Sequence, residues 1–166
     1  MKTINEKIVE ILRRHPDGGE RFFDALDLMV RGDKDILEDF LRWVANYYGS
    51  IEPDIVVVLT GSFGRVIASN AGKWLRTSFG GIVIVNGGIR SGRPVELPIT
   101  HADTDRFILL DDSYYSGKTK EAIERAIKEI RPTAKIEKTF VVYDGSKVRD
   151  PDVLGIFRYY DRKETT

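Results

Sequence analysis

The chain reads as an α/β domain, a mostly parallel twisted sheet flanked by helices and preceded by a helical N-terminal segment. Three observations predict this. The first 48 residues carry their apolar side chains at helical spacing. From Asp54 onward short apolar runs alternate with helical stretches. The run Phe107–Leu110 is continuous rather than alternating, as in a parallel strand covered on both faces.

Taken in order, Asn5 opens a first helix bearing Ile8, Ile11 and Leu12, which stops near His15-Pro16-Asp17-Gly18-Gly19. Phe22, Phe23, Leu26 and Met29 recur on one face of a second. A third starts at Asp33 or Asp35 and presents Ile36, Leu37, Phe40, Leu41, Val44 and Tyr48 along one stripe. These stripes suit a core or a lid over it, and carry no assigned chemistry. There follow a strand at Ile55–Leu59, a helix at Arg65–Arg76, a strand at Ile82–Val85 and a strand candidate at Val95–Ile99. Phe107–Leu110 is the next strand, then a helix from Lys120 to Ile130 and a strand at Lys138–Tyr143. Such alternation implies right-handed crossovers. Residues 1–166 form one domain, with 1–48 as a helical extension or hood and 54–161 as the α/β core. The polar tail Asp161–Thr166 is expected to fray.

Apolar and charged contents of 42% and 31% are those of a soluble globular protein. The 26 basic and 26 acidic residues cancel, so no global charge argues for nucleic acid or an anionic membrane as partner. Without cysteine there are no disulfides and no thiolate metal sites. No apolar run approaches the roughly 20 residues that span a bilayer, and Met1–Glu6 has no signal-peptide core. A cytoplasmic location is the expectation.

The chemistry concentrates in Phe107–Thr119. Four apolar residues run into Asp111 and Asp112, then into the loop Ser113–Thr119, which opens a helix. A loop at a strand's carboxyl end is the usual ligand position of open α/β sheets, and a helix N-terminus offers free N–H groups to an anion. Two carboxylates beside that anion would repel it unless a hydroxyl-rich sugar or a divalent cation lay between. The pattern therefore points to a ligand carrying ribose, phosphate and Mg²⁺ together. The plainer alternative is a strand ending in an acidic turn, with Ser116 as an ordinary helix cap. Walker-type readings fit worse. Asp112 stands where a phosphate loop ending in Ser116-Gly117-Lys118-Thr119 needs its first glycine, and Gly72-Lys73 is followed by Trp74.

A second small-residue turn, Leu59-Thr60-Gly61-Ser62-Phe63-Gly64, also leaves a strand for a helix, so both loops should open on one rim. Between them, Asn86–Arg106 holds Gly87, Gly88, Arg90, Gly92, Arg93 and His101. By default Arg90 and Arg93 are solvated and His101 is a bystander in a turn.

The run Phe107–Thr119 resembles the phosphoribosyl-pyrophosphate (PRPP) signature of the type I phosphoribosyltransferases: apolar strand, two acidic residues, then Ser/Thr-Gly-x-Thr. The resemblance extends over Asp54–Asp161 and implies a phosphoribosyltransferase-like fold. It makes Asp111 and Asp112 the catalytic pair that contacts the ribose and Mg²⁺. Ser113, Tyr115, Ser116, Gly117, Lys118 and Thr119 become the cradle of the 5′-phosphate. Thr60, Gly61 and Ser62 are similar to the short pyrophosphate loop of the 6-oxopurine branch. The loop after Asn86 would close over the reacting centre, with Arg90 catalytic and Arg93 on the pyrophosphate. Pro151–Phe157 is similar to the segment that holds the purine, giving Phe157 as stacking residue, Val153 for backbone contacts and Tyr115 beside the base. Lys147 or Lys138 would read an exocyclic oxygen. The alternative for that segment is a last edge strand filling the core.

One departure stands out. The 6-oxopurine branch carries an Asp near N7 of the base where this chain has Tyr115, and a phenol is a poor base at neutral pH although it can donate a hydrogen bond or stack. The resemblance implies a homodimeric enzyme that transfers the 5-phosphoribosyl group from PRPP to a purine or pyrimidine base, releasing pyrophosphate. The alternative is a non-catalytic PRPP- or nucleotide-sensing module of the same fold.

Overall fold

The computed structural model describes residues 1–88, 92–97 and 104–164. Three helices come first: α1 (Ile4–Arg14), α2 (Glu20–Gly32) and α3 (Lys34–Tyr48). The cap of α1 is Thr3 rather than Asn5. Thr3 and Glu6 bond each other's backbone N–H reciprocally, which satisfies two orphan donors at once. Asp33 opens α3, its carboxylate accepting from the N–H groups of Asp35 at 3.0 Å and Ile36 at 3.4 Å. That same carboxylate pairs with Lys7, tying α1 to the α2–α3 corner.

The chain continues as β1 (Glu52–Leu59), α4 (Gly61–Ser78), β2 (Phe79–Ile84), β3 (Asn86–Gly88), β4 (Arg93–Glu96), β5 (Arg106–Tyr114), α5 (Lys118–Ile130), β6 (Lys135–Asp144) and β7 (Val153–Arg158). A 3-10 helix, Tyr159–Glu164, follows, and Asp161 within it accepts from Arg149 at 2.7 Å, so the expected fraying does not begin there. Five strands form one sheet in the order β2-β1-β5-β6-β7, every pair parallel. β3 and β4 make a separate antiparallel hairpin. The strand candidate at Val95–Ile99 thus begins earlier and ends at Glu96, with Pro98 and Ile99 outside the described residues.

Alternation within each strand divides the core. Ile55, Val57, Leu59, Ile108, Leu110, Phe140 and Val142 pack against the first four helices. Val56, Val58, Phe107, Leu109 and Ile136 face Ile123 and Ile127 of α5. Burying one such large apolar side chain stabilises the fold by roughly 1.5–3 kcal/mol. The crossover from β1 through α4 therefore lies on one face and the crossover from β5 through α5 on the other. β1 and β5 are neighbours whose connections depart in opposite directions, which opens a crevice between their carboxyl ends.

Two element boundaries shape the rim of this crevice. β5 runs on through Tyr114 because β6 extends beside it, with Asp111 opposite Val141 and Tyr114 opposite Asp144. The acidic pair consequently sits inside a strand, and the loop shrinks to Tyr115–Gly117. On the β1 side, α4 begins at Gly61, immediately after the strand. No helix among the described residues is long and apolar enough to cross a membrane.

Candidate functional site

The crevice at the β1–β5 switch is a cleft of about 490 Å³. Asp111, Asp112, Ser113, Tyr115, Ser116, Gly117, Lys118 and Thr119 line one side, and Thr60, Gly61 and Ser62 the other. Asp111 and Asp112 follow Leu109 and Leu110 directly on β5, and both line the cleft. The Asp112 N–H donates to Asp111 Oδ1 at 2.8 Å, and Ser113 Oγ donates to Asp112 Oδ1 at 3.1 Å.

Both loops end in glycines with left-handed backbone, Gly117 at φ +79° and Gly61 at φ +66°. Neither α4 nor α5 has a side-chain bond from its capping residue, whereas α1 and α3 do. Two helix N-termini, each with N–H groups that no intrahelical partner can take, open into the same cleft. Ser116 is not the cap of α5; that position is Gly117, and the Lys118 N–H makes only a long 3.5 Å bond to Ser116 Oγ.

A polar network supports the Gly117 loop from below. Tyr114 Oη and Lys120 Nζ both bond to Asp150 Oδ2, at 3.1 and 2.8 Å. The Asp152 N–H holds the other oxygen at 2.9 Å. Burial and the neighbouring Asp150 charge push the Tyr114 phenol up to about 12, so it stays a donor at any ordinary pH. Burial pushes the Asp150 carboxyl up, but the bonds from Lys120 and the Asp152 amide outweigh it and leave it below the usual carboxylate range.

Other expected residues stand elsewhere. Val153 and Phe157 are buried on β7, with Phe157 stacked on Tyr143 at 5.7 Å and 10°, and neither lines the cleft. Arg93 lies on β4, opposite Gly88, and is not part of the lining, although Gly87 and Gly88 are. Lys138 is bonded to Asp152 at 2.8 Å beside a separate shallow depression, and Lys147 is exposed. Arg90 and His101 lie outside the described residues.

Four contributors escaped the sequence reading. Asp27 reaches the cleft from α2, where it accepts from Ser62 Oγ at 3.4 Å and pairs with Arg31 at 2.6 Å. Lys120, Tyr114 and Thr139 complete the lining. Tyr114 lies within the motif and was passed over between Ser113 and Tyr115, and Lys120 directly follows it. Asp27 and Thr139 depend on packing between distant elements and have no local signal.

Among solved structures the chain is similar to a purine phosphoribosyltransferase from Pyrococcus horikoshii Ot3, at 21% identity over 73% of this chain and 81% of that one, with a TM-score of 0.51. An adenine phosphoribosyltransferase from Thermoanaerobacter pseudethanolicus matches at 13% identity over 78% of this chain and 84% of that one, with a TM-score of 0.50. Neither a family model nor a curated protein matches the chain. At these identities the likeness is one of fold: the chain has the type I phosphoribosyltransferase fold.

Proposed function

We propose that the cleft binds PRPP with Mg²⁺, and that the chain transfers its phosphoribosyl group to a nitrogen nucleophile with release of pyrophosphate. The observation that carries this reading is the pairing of two glycine-opened helix N-termini around one acidic pair in a single cleft. Gly117, Lys118 and Thr119 receive the 5′-phosphate, Asp111 and Asp112 the ribose side, and Thr60, Gly61 and Ser62 the pyrophosphate.

The donor set suits Mg²⁺ of one particular kind. Among the described residues no group of three or more His, Asp or Glu could hold a metal by itself. Two carboxylates do suit an ion that completes its octahedron with substrate oxygens and water. Asp111 and Asp112 would hold it, and it would neutralise the charge of the departing pyrophosphate. The protein's own share is to fix the ribose, orient both phosphate arms and keep water away from the reacting carbon, whose transition state is oxocarbenium-like.

Calorimetric titration of PRPP with and without Mg²⁺ tests the proposal. Saturable, Mg²⁺-dependent binding is expected, and absence of binding in both conditions would overturn it. A second reading, a sensor that binds PRPP without turnover, is favoured by one observation: Phe23 of α2 and Tyr143 of β6 both pack against the Tyr115 ring. Pyrophosphate release with any acceptor separates the two. The two fold relatives are by name purine and adenine transferases, which describes nucleobase acceptors; on this chain the acceptor side carries Tyr115.

A further inference from the structure

The sheet order says where an acceptor must come from, given that PRPP binds as proposed. Pyrophosphate held at the end of β1 leaves the ribose on one side, so the nucleophile reaches that carbon from the opposite side, which is the end of β6. There the chain ends its strand at Asp144 and turns through Gly145. The Gly145 N–H donates to the Tyr114 carbonyl at 2.9 Å, which holds this turn against the end of β5.

Gly145 presents bare backbone, and a ring already lies on it. A Cβ built at Gly145 would fall 2.3 Å from Tyr115 Cε1 and 2.9 Å from both Cδ1 and Cζ. The Tyr115 ring therefore takes up the space that the missing side chain vacates. Phe23 of α2 meets that ring edge-on, at 4.5 Å and 76°. Tyr143 stands 5.8 Å from it, and Phe22 is 5.0 Å from Tyr143. Behind them Phe157 is stacked on Tyr143, so the face on which a ligand could lie is already covered. The Tyr115 hydroxyl is buried. Of these five rings only Tyr115 lines the cleft.

We propose that Tyr115 is a resident occupant of the acceptor position. Its ring lies on Gly145 where the flat ring of a nucleobase would have to lie, so the protein binds PRPP without a purine or pyrimidine beside it. Any nucleophile that its ribose meets is then a small, non-aromatic one. Phe23 makes the occupation durable, because it packs edge-on against the ring from α2.

The experiment offers adenine, hypoxanthine, uracil and orotate to the full-length protein at saturating PRPP and Mg²⁺, following binding by calorimetry and pyrophosphate release in parallel. The wild-type protein is expected to show neither with any of the four. Tyr115→Ala, also held at saturating PRPP, should bind at least one base at least about tenfold more tightly than wild type, since deleting this half-buried ring opens an apolar recess that an aromatic molecule can fill. A base that binds the wild-type protein beside PRPP, or supports pyrophosphate release, overturns the inference. So does a folded Tyr115→Ala protein that binds PRPP and still takes no base. If Tyr115→Ala fails to fold, Phe23→Ala, which loosens the ring without removing it, is measured in its place. Failure of PRPP to bind the wild-type protein strikes the function proposed above, whereas PRPP binding with a base alongside strikes this inference alone.

Discussion

Tyr114 and Lys120 donate to the same oxygen, Asp150 Oδ2, from two elements that flank the Gly117 loop. Tyr114 closes β5, Lys120 lies in the first turn of α5, and Asp150 belongs to the segment that leads into β7. A single carboxylate thereby joins three elements beneath the proposed phosphate site. Lys120 Nζ is at once a lining group and half of an ion pair, which limits how far its charge can follow a ligand.

Asp150→Asn should weaken binding of ribose 5-phosphate about tenfold, the usual effect of losing one charge-assisted hydrogen bond. Inorganic pyrophosphate, held at the other loop, should bind within about twofold of wild type. Calorimetry with each ligand separates a local positioning role from a general loss of structure. The pH dependence has a definite sign. The Asp150 carboxyl is held below its ordinary value, so its contribution to stability is full above the unfolded value near 4 and is lost as pH falls through the folded one. Melting temperatures of wild type and Asp150→Asn should differ by a constant amount from about pH 7 to 5 and converge below about pH 4.

Gly117→Ala should damage the 5′-phosphate site through two separable effects. Its φ of +79° costs an L-residue about 1–2 kcal/mol. The new Cβ would also stand 2.7 Å from Tyr114 Oη. Adding Tyr114→Phe relieves that contact but also deletes the bond to Asp150 Oδ2, so the double variant, compared with Tyr114→Phe alone, should recover part of the lost melting temperature. Full recovery would mean that backbone strain contributes nothing.

The Asp111→Asn/Asp112→Asn double change should abolish Mg²⁺-dependent PRPP binding while the protein keeps its circular dichroism spectrum. Both carboxylates are partly exposed on the cleft wall, so neutralising them removes repulsion without opening a cavity. Undiminished Mg²⁺-dependent binding would remove this pair from the site.

Gly64→Ala should lower stability rather than affinity. A Cβ there would lie 2.8 Å from the Leu59 carbonyl carbon, which is backbone and cannot swing away. Pushing α4 off β1 should cost about 1–3 kcal/mol, or roughly 2–4 °C of melting temperature per kcal/mol for a chain of this size.

The motif around Asp111 and the turn at Thr60 were legible because both are local: an apolar run, small residues and a helix start follow one another in sequence. Phe157 shows the limit of such reading. Its place in a segment similar to a purine-binding one suggested a stacking face, yet Tyr143 from the neighbouring strand lies on that face. Asp27 shows the same limit from the other direction. Nothing near it marks a ligand site, and it meets Ser62 only because α2 packs against α4.

By itself, then, the sequence determined the α/β alternation, the helical first third, the acidic pair and the two glycine turns, since periodicity and turn chemistry act over a few residues. The tertiary structure alone decided that β5 carries its carboxylates inside the strand, because only the extension of β6 could pair that far. It also decided that Tyr115 lies against Gly145 under Phe23, at the end of the strand beside the cleft. That last arrangement joins residues from three distant stretches of chain, and side-chain packing between elements leaves no trace in local spacing.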